Sequence, residues 1–216
     1  MNKAIVFNTF FNGLGVIRAL GKNNIDIIAL DKTKNTVGKY SKYTDEFYKV
    51  TDPNIDDEKF INDLIDIGEN YSEKPVLFPT NDSWSIAISK YKEKIEKHFL
   101  TYNPDYSVME KIINKKKFYK IMTKENILVP QTYEVEDYEH LKKIKNKLKY
   151  PIIMKPNSRM DVNRKSKETK IYNSNRIIEI NKFEDFKEYK DLIDNYDFLI
   201  QQKIPGLSNR MFTIGV

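Results

Sequence analysis

The chain has 216 residues, of which 40% are hydrophobic and 12% aromatic, a composition that supports a sizeable core and excludes wholesale disorder. It has no cysteine, which excludes disulfides and thiolate metal sites, and its two histidines, His98 and His140, lack ligand spacing. The net charge is +6, yet lysines alternate with acidic residues along predicted helices, which favours a solvated surface over nucleic-acid binding. No membrane-length apolar run or signal segment is found, so the predicted location is the cytoplasm, without a membrane partner.

Strand-like and helix-like segments alternate over the first hundred residues. Apolar runs predict strands at residues 3–7, 25–31, 45–50 and 74–82. Helices are predicted between them: one over 15–22 that ends at Gly21, one entered through Pro53, and one whose apolar face includes Trp84 and Ile88. Such alternation is typical of βαβ units and a parallel sheet.

The carboxyl ends of these strands are the predicted ligand-binding edge, because ligands of open α/β sheets bind there. The turn after the first strand, "NTFFNGLG", and the turn after the fourth, "PTND", are rich in small polar groups. The candidates for the substrate side are Asn12, Gly13, Thr80, Asn81 and Asp82.

The pattern changes near residue 103. Two short helices are predicted there, with Asn114 as the N-cap between them. The remaining segments are a strand closed by Pro156, a glycine-free polar run over 157–170, and further strands at 176–180, 198–204 and 210–216, with helices between. The second half is therefore predicted to be mixed α+β, and the chain is expected to end in mid-strand.

Two lysines are candidates for anion binding. Lys155 ends an apolar strand, where an unpaired buried ammonium would be costly, so it either snorkels to solvent or holds an anion such as a phosphate. Lys115 lies in the first turn of a predicted helix, whose positive end favours anions. A solvated lysine face would account for Lys115 equally well.

A polar interruption marks the strand that begins at Phe198. Phe198, Ile200 and Ile204 alternate along one face, with Gln202 in the same row, and a Pro-Gly turn follows. A bound adenine would account for such a polar break, since it needs a backbone carbonyl, a backbone amide and apolar neighbours. An edge strand with outward polar residues would produce the same pattern.

Taken in order, "NKKKFY", "IMKP" and "QQKIPG" resemble the three nucleotide-binding motifs of the ATP-grasp superfamily. The lines "GLGVIRALGKNNIDIIALD", "YSKYTDEFYKVTDP" and "VLFPTNDSW" resemble the pre-ATP-grasp domain of its carboxylate–amine ligases, so that the resemblance covers essentially the whole chain. It implies an α/β protein with a Rossmann-like domain over 1–102 and an incomplete α+β ATP-grasp domain over 103–216. The latter would comprise linker helices at 103–129, a first lobe at 130–197 and the start of a second lobe at 198–216.

The resemblance also implies ATP as the cofactor. Lys115 and Lys155 would contact its phosphates, and its adenine would lie along Gln201, Gln202, Lys203 and Ile204, the last two acting mostly through the backbone. The run 157–170 would be a lid, in which Ser158, Arg159, Arg164 and Ser166 would replace the glycine amides that the family often uses. Asn114 and Gln202 stand where the family has acidic residues.

The implied activity is ATP-dependent ligation of a small-molecule carboxylate to an amine through an acylphosphate. The family's magnesium ligands lie beyond the adenine segment, so Mg²⁺ is expected in a complete enzyme, and the chain alone is expected to be truncated and inactive. The resemblance identifies no catalytic residue here and allows a homo-oligomer.

Two other functions stay open. A non-catalytic nucleotide-binding or interaction module would carry the same motifs without turnover. A dinucleotide-dependent oxidoreductase would use Gly13, Gly15 and Asp31 after the first two strands, although Arg18 occupies the position of the third glycine.

Overall fold

The computed structural model describes residues 2–157 and 177–206, and the chain divides into two compact units, Met1–Ile113 and Asn114–Val216. The predicted strand at 210–216 and the predicted lid beyond Asn157 lie outside the described residues. The α/β class is confirmed, because the first unit is built on a parallel sheet and the second on an antiparallel sheet. The boundary at residue 102 and the subdivision of 103–216 stay predictions.

The first unit contains a four-stranded parallel sheet. Its strands are β1 (Ala4–Phe7), β2 (Ile27–Asp31), β3 (Glu46–Lys49) and β4 (Val76–Phe78), and they lie in the order β3-β2-β1-β4. Ala4 of β1 aligns with Ile27 of β2 and with Val76 of β4. Every residue of β1 and β2 is buried, as expected for central strands of a parallel sheet covered on both faces.

The helices of the first unit are α1 (Phe11–Gly21), α2 (Asp57–Gly68), α3 (Asp82–Lys90), α4 (Lys92–Ile95) and α5 (Tyr106–Ile113), with a 3₁₀ turn at Val37–Tyr40. Two helices begin elsewhere than predicted. The first starts inside the predicted turn, because Asn8 adopts a positive φ of 49° and redirects the chain directly after β1. The second starts beyond Pro53, because the Asp56 side chain accepts a hydrogen bond from the Lys59 amide and caps the helix there.

Three aromatic side chains form the centre of the first core. The Phe60 and Trp84 rings meet edge to face, with centroids 4.9 Å apart, and the Phe7 and Phe60 centroids are 6.1 Å apart. All three side chains are fully buried. The predicted apolar faces of α2 and α3 therefore pack onto β1.

The second unit contains an antiparallel sheet of four strands. These are β5 (Thr132–Glu134), β6 (Ile152–Pro156), β7 (Ile178–Ile180) and β8 (Phe198–Gln202), in the order β5-β8-β6-β7. Its helices are α6 (Lys115–Lys124), α7 (Tyr138–Ile144) and α8 (Lys190–Asn195), with 3₁₀ turns at Lys145–Lys147 and Phe183–Tyr189. Asn114 caps α6 as predicted, accepting from the Lys117 amide at 2.9 Å. Within the described ranges, no helix is long and apolar enough to cross a membrane.

A charged cluster joins β3 to the start of β1. The Lys3 ammonium donates to Glu46 Oε1 at 2.7 Å, and the hydroxyls of Tyr48 and Tyr71 donate to Glu46 Oε2 at 2.9 and 2.7 Å. The hydrogen bond from Lys3 holds the pKa of Glu46 below its usual value. Burial, followed by the hydrogen bond to Glu46, raises the pKa of Tyr71.

Glu46 is expected to contribute to acid unfolding. Because its pKa is lower in the folded than in the unfolded chain, its stabilisation is complete above the unfolded value and is lost as the pH falls through the folded value. The free energy of unfolding of Glu46→Gln should therefore vary less with pH than that of the wild type between about pH 6 and about pH 3. Urea unfolding of both proteins across this range measures the two free energies, and equal pH dependence in the two proteins would contradict the role of Glu46.

Alanine substitutions at Gly13 and Gly15 test how closely α1 approaches the turn that follows β1. A Cβ at Gly13 would lie 2.6 Å from the Asn8 carbonyl oxygen, whereas a Cβ at Gly15 would meet nothing within 4 Å. Gly13→Ala should lower the free energy of unfolding by about 1–3 kcal/mol. Gly15→Ala, in the same helix, should raise it by about 0.5–1 kcal/mol. Urea unfolding measures both, and a neutral Gly13→Ala would contradict the close approach.

Candidate functional site

The two faces of the antiparallel sheet differ in character. One face is the core, where Ile152, Met154 and Ile200 are fully buried. Because side chains alternate along a strand, Lys155 of β6 and Gln201 of β8 lie on the opposite face. Thr132 of β5 is aligned directly with Gln201 and shares that face. Three polar residues from three adjacent strands are thus brought side by side.

Lys155 is held by neutral groups. Its ammonium donates to Gln201 Oε1 at 2.9 Å and to the Tyr119 hydroxyl at 3.2 Å, and it lies 5.1 Å from the centroid of the Tyr119 ring. Within the described residues it forms no ion pair with a carboxylate. Several other lysines do, namely Lys3, Lys32, Lys90, Lys92, Lys116, Lys142, Lys190 and Lys203.

Gln201 is the buried member of the polar interruption in β8. It is 2% exposed, and its Nε2 donates to Thr132 Oγ1 at 2.9 Å while its Oε1 accepts from Lys155. Gln202 lies in the core-facing row, opposite Ile152, but at the end of the strand where it is half-buried. The structure therefore brings Gln201, and not Gln202, into contact with Lys155.

Lys115 contacts the end of β6 through Asn157. Its ammonium donates to the Asn157 carbonyl oxygen at 3.0 Å, and its backbone amide donates to the same oxygen at 3.4 Å. Tyr119 lies four residues further along α6, on the same helix face as Lys115, and contacts Lys155. Both predicted phosphate lysines are thereby placed at the carboxyl end of β6.

Asn157 joins three segments of the second unit. Its side-chain oxygen accepts from the Lys116 amide at 2.9 Å, and its Nδ2 donates to Asp197 Oδ2 at 2.7 Å. Its backbone amide donates to the Asp197 carbonyl at 3.0 Å, and Asp197 also pairs with the Lys116 ammonium. We call Lys115, Lys116, Asn157 and Asp197 the Asn157 junction. It ties the amino end of α6 to the end of β6 and the start of β8.

The segment after β8 offers backbone groups at the other end of the sheet. The Lys203 amide donates to the Pro151 carbonyl at 3.0 Å, and the Lys203 ammonium pairs with Glu179 at 2.6 Å. The Ile204 amide forms no hydrogen bond within residues 2–157 and 177–206. Ile204 is 68% exposed, and Gly206 has a positive φ of 135°, consistent with the predicted Pro-Gly turn.

The substrate-side candidates are distributed around one edge of the parallel sheet. Thr80 Oγ1 donates to the Phe7 carbonyl at 2.7 Å, which joins the turns after β4 and β1. Asn81 caps α3 by accepting from the Trp84 amide at 3.3 Å, so its side-chain oxygen has a structural partner. Gly13 is buried against Asn8, whereas Asn12 and Asp82 are exposed.

Asp31 is enclosed at the same edge. Its Oδ2 accepts from the Thr9 amide at 2.8 Å, and its Oδ1 accepts from the Thr33 amide at 3.1 Å. The residue is 5% exposed. A dinucleotide site would need this carboxylate for the ribose hydroxyls, so the geometry disfavours the oxidoreductase hypothesis.

Sequence reasoning did not identify Tyr119, Thr132, Asn157 or Asp197 as individual site residues. The spacing of Tyr119 from Lys115 is a helical i, i+4 signal that could have indicated a shared face. Thr132 and Asp197 carry no such signal, since they reach the site through strand pairing across 69 and 40 positions.

Tyr119 and Thr132 also line a cavity of about 680 Å³ between α6 and residues 126–134, whose lining does not include Lys155 or Gln201.

The described residues show no ligand set for a metal ion. Residues 2–157 and 177–206 contain no group of three or more His, Cys, Asp or Glu side chains placed to hold one. Near the two lysines, the Asp197 carboxylate already binds Lys116 and Asn157. The proposed lid residues Ser158, Arg159, Arg164 and Ser166 lie outside the described ranges.

Known proteins to which the chain is similar include a curated ligase and solved synthetase and ligase structures. No protein-family model matches the chain. It is similar to the D-aspartate ligase of Enterococcus faecium (strain Aus0004), with 28% identity over 108 residues, covering 46% of this chain and 25% of the ligase. It is similar in structure to N5-carboxyaminoimidazole synthetase from Staphylococcus aureus complexed with ADP, with a TM-score of 0.69, 13% identity, and coverage of 94% of this chain and 48% of that one. It is also similar to L-amino acid ligase from Bacillus licheniformis, with a TM-score of 0.68, 13% identity, and coverage of 95% and 45%.

These likenesses confirm the predicted fold. The chain has the fold of the ATP-grasp proteins and resembles their carboxylate–amine ligases. It spans about half the length of the solved structures and a quarter of the curated ligase. The TM-scores of 0.69 and 0.68 establish a shared fold, whereas an identity of 13% does not establish a shared substrate.

Asn157→Ala tests the Asn157 junction. The substitution leaves the Lys116 amide and the Asp197 carboxylate each without one partner, and Asn157 is 2% exposed. We expect the free energy of unfolding to fall by about 1–3 kcal/mol. Exposed Asn195→Ala, which removes one local bond to the Asp191 carbonyl, should change it by less than about 0.5 kcal/mol. Equal effects of the two substitutions in urea unfolding would contradict the role of the junction.

Proposed function

We propose that the second unit binds ATP and that the chain is the nucleotide-binding part of an ATP-dependent carboxylate–amine ligase. The single observation that carries this proposal is the environment of Lys155. Its ammonium lies on a sheet face and is held by an amide oxygen, a hydroxyl and an aromatic ring. Since none of these groups is charged, the full positive charge is available to an anion.

The dimensions of the sheet support a triphosphate nucleotide. Lys155 of β6 and Pro151, the residue before that strand, are four positions apart, which corresponds to roughly 13 Å along an extended chain. Lys115 and Lys155 lie at one end of this span, and Lys203 and Ile204 at the other. An extended ATP has a length on this order. Phosphates at the lysines would therefore place the base beside the segment after β8.

The backbone of this segment limits how the base could bind. The Lys203 amide is already bonded to Pro151, so the Ile204 amide is the donor that an adenine ring nitrogen would use. The Lys203 side chain is drawn toward Glu179 by its ion pair, which supports a backbone role for this residue. Gln201 would act mainly through Lys155, and Gln202 would border the base from the end of the strand.

The chemistry proposed for the complete protein is the activation of a small-molecule carboxylate. A carboxylate oxygen attacks the γ-phosphorus of ATP, the bond from that phosphorus to the β-bridging oxygen breaks, and ADP leaves with the bonding electron pair. An amine then attacks the acyl carbon, the amide bond forms, and inorganic phosphate leaves as the amine loses a proton. Lys115 and Lys155 would stabilise the negative charge on the phosphates.

Magnesium does not fit the described residues. It would add to the neutralisation of phosphate charge when bound, but the carboxylate near the two lysines is committed to the Asn157 junction.

On the substrate side, Asn12, Gly13, Thr80, Asn81 and Asp82 stay candidates within the first unit.

Lys155→Ala tests the nucleotide site. Removing the ammonium should weaken ATP binding at least tenfold, which corresponds to about 1.4 kcal/mol or more. Isothermal titration calorimetry with ATP and magnesium measures the affinity, and exposed Lys149→Ala provides a charge-matched control that should bind like the wild type. An unchanged affinity in Lys155→Ala would exclude this lysine as a phosphate ligand.

Turnover distinguishes the ligase from a nucleotide-binding module. The complete protein, incubated with ATP and candidate carboxylates and amines, should release ADP, phosphate and an amide product if it performs the ligase reaction. ATP binding by the complete protein without amide formation would favour the non-catalytic module, and failure of the present chain to bind ATP would contradict both.

A further inference from the structure

We propose that Thr132 and Tyr119 are positioning residues that orient the Lys155 ammonium toward a phosphate. This inference rests on the proposed nucleotide site and adds two residues to which the sequence resemblance gives no role of their own. Both are linked to Lys155 by hydrogen bonds, Tyr119 directly and Thr132 through Gln201.

The link through Thr132 begins at the backbone carbonyl of Pro130. Thr132 Oγ1 lies 3.0 Å from the Pro130 carbonyl oxygen, which can only accept a hydrogen bond. The single hydroxyl proton of Thr132 is therefore used there, and the Thr132 oxygen is left as an acceptor toward Gln201. At 2.9 Å from that oxygen, Gln201 must present its Nε2.

The orientation of the Gln201 amide follows from this constraint. With Nε2 directed at Thr132, the amide oxygen Oε1 faces the Lys155 ammonium, 2.9 Å away. The reversed amide would place an oxygen against the committed Thr132 oxygen and an NH₂ group against the ammonium, which has no acceptor. The Pro130 carbonyl thus determines the polarity of the whole chain of bonds from Thr132 to Lys155.

Tyr119 holds the ammonium from α6. Because Lys155 has only protons to offer, the Tyr119 oxygen accepts at 3.2 Å, and the centroid of the ring lies 5.1 Å from the ammonium nitrogen. The hydroxyl proton of Tyr119 then stays available for another acceptor. Of the three N–H groups of Lys155, two are used within the described residues, so one ammonium proton and one phenol proton can be donated to a phosphate.

The functional consequence is a charge that is oriented without being neutralised. A carboxylate in place of Gln201 or Tyr119 would fix the ammonium equally well but would compete with the phosphate for it. The neutral chain of Pro130, Thr132, Gln201 and Tyr119 restrains the long lysine side chain before the ligand arrives. Binding then loses less side-chain entropy than it would with a freely rotating lysine.

The experiment compares ligands that differ only in their phosphates. Thr132→Val removes the hydroxyl at nearly constant volume, and Thr132→Ser keeps it as the rescue control. Tyr119→Phe removes the hydroxyl and keeps the ring. For each full-length variant, affinities for ATP and for adenosine are measured by displacement of a fluorescent ATP analogue, and thermal unfolding is recorded without ligand.

We expect the loss of affinity to be confined to the phosphate-bearing ligand. Thr132→Val and Tyr119→Phe should each bind ATP about tenfold more weakly, the size of a lost hydrogen bond to a charged group, and should bind adenosine like the wild type. Thr132→Ser should bind both ligands like the wild type.

Two other outcomes would overturn the inference. If the wild type binds ATP and both variants bind it equally well, the two residues do not position Lys155. If a variant loses affinity for ATP and adenosine in the same proportion, its role is structural. A wild-type chain that binds neither ligand would overturn the proposed nucleotide site itself, which is a separate result.

Discussion

The arrangement of the second unit depends on one buried asparagine. Asn157 accepts from the amino end of α6 and is bonded to Asp197 through both its side chain and its backbone amide. An isolated helix of ten residues is marginal in water, so α6 needs such tertiary contacts to keep its position. Because Lys115 and Tyr119 are carried by α6, and Lys155 by β6, the junction sets the distance between the groups proposed to hold the phosphates.

Electrostatic context distinguishes the proposed site from the many surface lysines of this basic chain. Most of the lysines with a described contact are paired with carboxylates, and such exposed pairs contribute little to stability. Lys155 is restrained by neutral groups on a rigid sheet face, which keeps its charge available. The same alternation of side chains that buries Ile152 and Met154 in the core presents Lys155 on the opposite face.

In the first unit, polar side chains at the edge of the parallel sheet form hydrogen bonds within the protein. Asp31, Thr9 and Thr36 satisfy one another in a buried network, and Asn81 is used as a helix cap. These contacts explain polar residues that look functional in the sequence. The Phe10 and Phe11 rings contact each other at a tilt of 53°, with 50% and 74% of the two residues' surfaces exposed, a feature that no sequence pattern predicted.

The sequence by itself determined the class of the fold, the order of its strands along the chain, and the candidate lysines, because periodicity and turn residues are local signals. It also predicted the Asn114 cap, which depends on contacts three residues apart. Only the tertiary structure decided that Gln201 is the residue that meets Lys155, since this depends on the register between β6 and β8. Thr132, Asn157 and Asp197 likewise gain their roles from pairing between distant segments, which no local pattern encodes.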